Sequence, residues 1–270
     1  MAEDYTLQED TAPAPGRLEQ FLRVFIILAV ICLGGEIIWL LGITPFRPFS
    51  KIDVSGYDGI GKEEILARAG VTRGSSYVSA DTHRMEKALM GLSSLESVRV
   101  FKRFPDKLQI VLGGRKAVAT AVASLNGRMV QVLIDGQGVI FHVGGDIKDG
   151  VSGQLPIVSG LVIEDPAPGM RLPAMLVPLF RELDKIGASA PELLGAVSEL
   201  RISGKPFESY EIVLYPMHRK VKVRLSGLNE DLLRYTLLMV DVLASREPGI
   251  DSLDFRSSIA SYIPKEASSE

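Results

Sequence analysis

The sequence predicts an α+β protein carried on a single N-terminal transmembrane helix: a small β-α-α-β-β unit first, then a larger β-rich domain with helices on one face. Three observations lead there. One apolar run, at residues 21–43, is long enough to cross a bilayer. Between residues 50 and 112, two stretches of helical period stand among stretches of alternating period. Beyond residue 115, short alternating runs follow one another, separated by Asn-Gly, Asp-Gly and Gly-rich turn signals.

Residues 1–20 are polar, carry several acids and include the stretch from Ala12 to Pro15; they are expected to form a disordered tail. Residues 21–43 read FLRVFIILAVICLGGEIIWLLGI. A spanning helix needs about 20 apolar residues at a rise of about 1.5 Å each. Glu36 is the exception, and a carboxylate at depth costs a few kcal/mol. It is expected to be protonated, paired with another helix, or near the headgroups. Trp39 suits the interface, and Arg23 can snorkel to the near side. No small-x-small cleavage site follows a shorter core, and Ile31 before Cys32 does not fit a lipoprotein. The run reads as a retained anchor. Arg17 and Arg23 on one side balance Arg47 and Lys51 on the other, so charge does not set the orientation.

Pro45 and Pro48 end the helix. Ile52 and Val54 alternate as in a strand. Residues 62–69 form a helix, with Glu63 and Glu64 in the first turn, where the dipole favours anions, and Gly70 as its stop. A second helix covers about 81–92, with Met85, Ala88, Leu89 and Leu92 on one face. Val98 and Val100 mark one strand, Leu108, Ile110 and Leu112 the next, with a turn around Pro105 between them.

Strands at 117–125 and 128–134 flank the hairpin signal Asn126-Gly127. Residues 135–138 form another turn, and 139–141 a short strand. The Gly- and Asp-rich stretch 144–154 is a loop. Residues 171–186 read as helix despite Pro173 and Pro178. Strands follow at 197–202, 210–214 and 221–225. The helix at 229–245 is capped by Asn229, and Leu233, Leu237, Val240 and Ala244 line one face. A last strand at 252–263 precedes a polar tail, 266–270.

The composition, 46% hydrophobic and 23% charged with net charge −3, fits a folded protein and argues against a nucleic-acid partner. A single cysteine, Cys32, excludes an intrachain disulfide and a cysteine-built zinc site. There is no HExxH, GxSxG or P-loop. His83, His142 and His218 fall in separate elements, and Asp146 and Asp149 lack the spacing of a cation loop. No catalytic residue, metal site, cofactor or small-molecule substrate is expected, which leaves a non-enzymatic, partner-binding protein. Lys102, Arg103 and Lys107, and again Arg219, Lys220, Lys222 and Arg224, form small basic clusters, read as solvated strand ends that could touch anionic lipid or an acidic partner.

Five runs, in this order, carry a resemblance. They are 101–110 (FKRFPDKLQI), 115–119 (RKAVA), 132–141 (VLIDGQGVIF), 155–160 (LPIVSG) and 253–256 (LDFR). Together they resemble the bacterial cell-division proteins FtsQ and DivIB. The resemblance implies a POTRA-like domain at 49–116 and an FtsQ-type β domain at 117–265. It implies an inner-membrane protein at the division site, with a cytoplasmic N-terminus and periplasmic or extracytoplasmic domains. It further implies a scaffold of the division machinery whose partners are the small bitopic proteins FtsB and FtsL. In the family the C-terminal strand is the binding edge, which puts Phe255, Ser258, Ile259, Tyr262 and Ile263 forward as partner contacts. Gly34, Gly35 and Glu36 are candidates for packing against other membrane helices. The alternative is a POTRA-bearing translocation or outer-membrane assembly factor. That reading calls for a barrel, and no run of ten-residue alternating strands is present.

Overall fold

The computed structural model describes residues 17–57, 59–145, 155–205, 209–246, 250–256 and 261–264. Helix α1 (Arg17–Ile38) continues through a π-helical turn (Trp39–Ile43) into a 3-10 turn (Thr44–Phe46). The hydroxyl of Thr44 donates to Trp39 O at 2.9 Å, closing the wide turn. The 27 residues Gln20–Phe46 are long and apolar enough to cross a membrane, and none of their apolar stretch is buried against the rest of the chain. At about 1.5 Å per residue they reach about 40 Å, more than the roughly 30 Å of a hydrocarbon core.

Past the helix the chain forms two compact units, one built on residues up to 88 together with 99–111, the other on 89–98 together with 112 onward. The first contains β1 (Lys51–Ser55), α2 (Lys62–Arg68) and α3 (Thr82–Leu89). Strands β2 (Leu95–Arg103) and β3 (Lys107–Gly114) complete a three-stranded sheet of order β1-β3-β2. The expected strand-helix-helix-strand-strand order is present. What periodicity could not supply is the pairing: β1 runs parallel to β3, Val54 opposite Ile110, so the last strand is the central one. Ile65, Met85, Val100, Leu108 and Ile110 are buried in this unit. Side chains occupy both edges of the sheet. Lys62 Nζ donates to Ile52 O at 2.8 Å on β1, and Val100 N on β2 donates to Glu86 Oε1 at 2.7 Å. Edges blunted in this way are poor templates for another strand.

The second unit is a nine-stranded sheet. Its strands are β4 (Ala117–Leu125), β5 (Arg128–Asp135), β6 (Ile140–Val143), β7 (Ile157–Ser159) and β8 (Val197–Lys205). They continue with β9 (Ser209–Pro216), β10 (Lys222–Leu225), β11 (Ile250–Asp254) and β12 (Ser261–Pro264). The spatial order is β12-β11-β10-β9-β8-β7-β4-β5-β6. The β4–β5 hairpin turns through Asn126 at φ 51° and Gly127 at φ 75°, the two positive values that a two-residue type I′ turn requires.

Several elements differ from the sequence reading. Helix is not continuous over 171–186. Pro173 is extended, a 3-10 turn (Ala174–Leu176) follows, and α4 (Val177–Ser189) begins with Pro178 in its first turn, where a missing N–H costs nothing. The short α5 (Pro191–Gly195) then leads into β8. Strand β7 has only three residues, too few for a periodicity signal, yet it joins the two halves of the sheet by parallel pairing with β4 and β8.

Gly160, which ends the LPIVSG run, adopts φ +80°, and a Cβ there would stand 2.1 Å from Ile202 O on β8. Replacing Gly160 by alanine is expected to destabilise this unit by about 1–3 kcal/mol, because the backbone must shift or adopt strain. Chemical denaturation of the full chain in detergent tests this; an unchanged midpoint would contradict it.

Asp135, in the VLIDGQG run, ends β5. Its Oδ1 accepts from Gln137 N at 2.9 Å and Val139 N at 2.8 Å, and Gly138 turns at φ +72°. Its Oδ2 pairs with Arg115 Nη1, with the two side chains 5% and 11% exposed. One carboxylate therefore closes the β5–β6 turn and neutralises a buried guanidinium.

Candidate partner-binding edge

One apolar row crosses the whole second sheet and is buried through its middle. Strand register places Val143, Val132, Ala121, Val158, Leu200, Leu214, Val223, Leu253 and Tyr262 side by side, from β6 to β12. Registered neighbours share a face. Seven consecutive members, from Val132 to Leu253, are buried, and helices α4, α5 and α6 (Glu230–Arg246) pack over that face. The row ends at Tyr262, which is 51% exposed.

The two edges of this sheet differ. At β6, Ile140 N donates to Met170 O at 2.8 Å and Ile140 O accepts from Gly169 N at 2.7 Å, so a passing segment covers the edge. At β12, no strand lies on the outer side among the described residues. This is the open edge, with an apolar row leading to it.

The opposite face of the sheet near this edge is polar. Arg256 reaches Asp254 Oδ2 at 2.5 Å and Glu211 Oε2 at 2.7 Å, and Lys222 reaches Asp251 at 3.4 Å. Leu253 and Phe255 enter the core, while Asp254 and Arg256 clamp the open face. The hydrogen bond from Arg256 holds the Asp254 carboxyl below the usual carboxylate range. Its folded pKa lies below its unfolded one, so the clamp contributes stability above the unfolded pKa. That contribution is lost as pH falls through the folded value. An NMR titration of the Asp254 carboxyl is expected to show a midpoint below that of a free aspartate; an ordinary midpoint would contradict the clamp.

The single last strand expected at 252–263 is two strands. Asp254 Oδ1 accepts from Arg256 N at 3.0 Å, an Asx-type bond that ends β11. The chain then returns as β12, antiparallel to β11, with Leu253 opposite Tyr262 and Asp254 opposite Ser261. This separates the five expected contacts. Phe255 is buried, edge-on to Tyr235 at 5.8 Å, with its N–H bonded to Arg224 O at 2.9 Å. Tyr262 and Ile263 lie on β12. Ser258 and Ile259 fall outside the described residues. Gly34, Gly35 and Glu36 lie on α1, where a Cβ at either glycine would meet nothing within 4 Å. Sequence reasoning missed Arg256 and Glu211 as a clamp, since 45 residues separate them. Among the described residues, no three His, Cys, Asp or Glu side chains converge in a way that could hold a metal ion.

Residues 47–113 match the family described as POTRA domain, FtsQ-type. Over 240 residues the chain is 24% identical to the cell division protein DivIB of Bacillus cytotoxicus, covering 88% of this chain and 84% of that protein. The chain carries a match to the FtsQ-type POTRA domain and is similar over most of its length to FtsQ and DivIB cell-division proteins. It is also 26% identical over 228 residues to the cell division protein FtsQ of a Geobacter species, covering 82% of this chain and 76% of that protein. With DivIB of Bacillus anthracis it shares 24% identity over 172 residues, covering 64% of this chain but 58% of the relative. The FtsQ-type POTRA match falls on the β1-β3-β2 sheet and its two helices, and the longest similarities run on into the nine-stranded sheet.

Proposed function

We propose that this protein is a bitopic scaffold of the bacterial division machinery, which captures FtsB- and FtsL-like partners by strand addition at β12 and by contacts of its membrane helix. The observation that carries the reading is the apolar row that ends half-exposed at Tyr262 on an open edge. An added strand would satisfy backbone groups on β12 and extend the row by one position. The names of its relatives, all cell division proteins, support the setting. Gly34 and Gly35 let another helix backbone approach closely, and Glu36 would be satisfied by a polar partner there.

The test is capture of FtsB- and FtsL-like ectodomains by the full chain in nanodiscs. Binding is expected; no binding by the unmodified chain would remove the reading. Orientation is tested separately by a periplasm-active reporter fused after Glu270, expected to be active only outside the cytoplasm.

A further inference from the structure

We propose that the first unit rests on the membrane that α1 spans, through an apolar and basic patch centred on Val78 and Phe104. The occupant is the lipid surface itself, on the side where α1 ends. This surface is separate from the β12 edge and depends only on α1 being a membrane helix.

The argument starts from chain connectivity. Val78 N donates to Pro45 O at 3.3 Å, and Phe49 N donates to Ser75 O at 3.0 Å. Ser50 N donates to Asp106 O at 3.0 Å. The loop around residues 72–80 and the turn at 103–107 are thus bonded to the first residues past the helix. Pro45 follows Ile43 by two residues, so it lies within about 7 Å of the helical segment's end. A headgroup layer is roughly 5–8 Å thick on each side of the hydrocarbon core. Val78 therefore sits at about headgroup depth.

The exposed side chains there are those a bilayer interface takes. Phe46 is 66% exposed, Val78 54% and Phe104 46%. Tyr77 packs edge-on against Phe104 at 5.8 Å, which joins the loop to the turn. Lys102 Nζ donates to Tyr77 O and Ala80 O, each at 3.0 Å, and so fixes the loop that presents Val78. Arg47, Arg103 and Lys107 are exposed around the patch, and the Arg47 guanidinium lies 5.8 Å from the Trp39 ring centroid. Apolar tips within a basic rim are the composition of an interfacial lipid contact. Because α1 already tethers the unit, lipid is present at high effective concentration and a weak contact is enough to hold it.

The test uses the full chain in vesicles of phosphatidylethanolamine and phosphatidylglycerol containing brominated lipid. Single cysteines at 46, 78 or 104, in a Cys32→Ser background, carry an environment-sensitive fluorophore; the native chain labelled at Cys32 reports the anchor. Quenching at 78 and 104 comparable with that at 46 is the expected result. Labels at 78 and 104 as bright as in vesicles without brominated lipid would overturn the proposal, and an unquenched Cys32 would overturn the anchor and the proposal together. A label at position 103 guards against effects of the labels themselves. It should be quenched in the chain that keeps Val78 and Phe104 and relieved by V78S/F104S; quenching that survives both substitutions overturns the role given to these side chains. In vesicles of phosphatidylcholine alone the quenching should weaken, and an unchanged signal would overturn the role of the basic rim.

Discussion

Replacing Asp135 by alanine is expected to cost the second unit about 3–5 kcal/mol, the usual consequence of leaving one member of a buried ion pair behind. Arg115, 11% exposed, would keep its charge without its partner, and the amides of Gln137 and Val139 would lose their acceptor. Asp135→Asn separates the two effects. It preserves an oxygen for the turn while removing the charge, so it should fall between wild type and alanine. Thermal unfolding followed by circular dichroism, on the full chain in detergent, measures all three. An alanine variant as stable as wild type would mean that the turn and the guanidinium find other partners.

Replacing Tyr262 by lysine is expected to weaken partner capture by about 2 kcal/mol, roughly 30-fold, while leaving the fold intact. Tyr262 is half exposed at the end of the buried row, so its loss opens no cavity. Phe255→Ala is the contrasting variant. That side chain is buried against Tyr235, and its removal should destabilise the unit by about 3–5 kcal/mol through the cavity it leaves. Loss of binding with Phe255→Ala alone would report damage to the fold. Loss with Tyr262→Lys in a chain of unchanged stability would report the edge. Binding that survives Tyr262→Lys would remove β12 as the docking strand.

Short-range chemistry fixes the kinds of element and many of their ends, and these are readable from local patterns of residues. The apolar run at 21–43 had to be helix in lipid, where each backbone group needs an internal partner. Asn126-Gly127 permitted a tight hairpin, and Asn229 Oδ1 accepts from Leu232 N at 2.8 Å, as an N-cap does. That the chain's last described strand carries Tyr262 was legible too; that it stands at the end of the sheet was not local information.

Tertiary structure alone decided which strands are neighbours. The parallel pairing of β1 with β3, and of β7 with both β4 and β8, joins residues far apart in sequence, and no local pattern encodes it. It also decided the fate of Phe255. Alternation carried the last strand through residue 255, but the carboxylate of Asp254 bonds Arg256 N and ends β11 there. Phe255 then turns into the core, and the returning chain supplies the edge. The Asp254 carboxylate competes for that backbone amide at the point where the expected binding strand divides between core and surface.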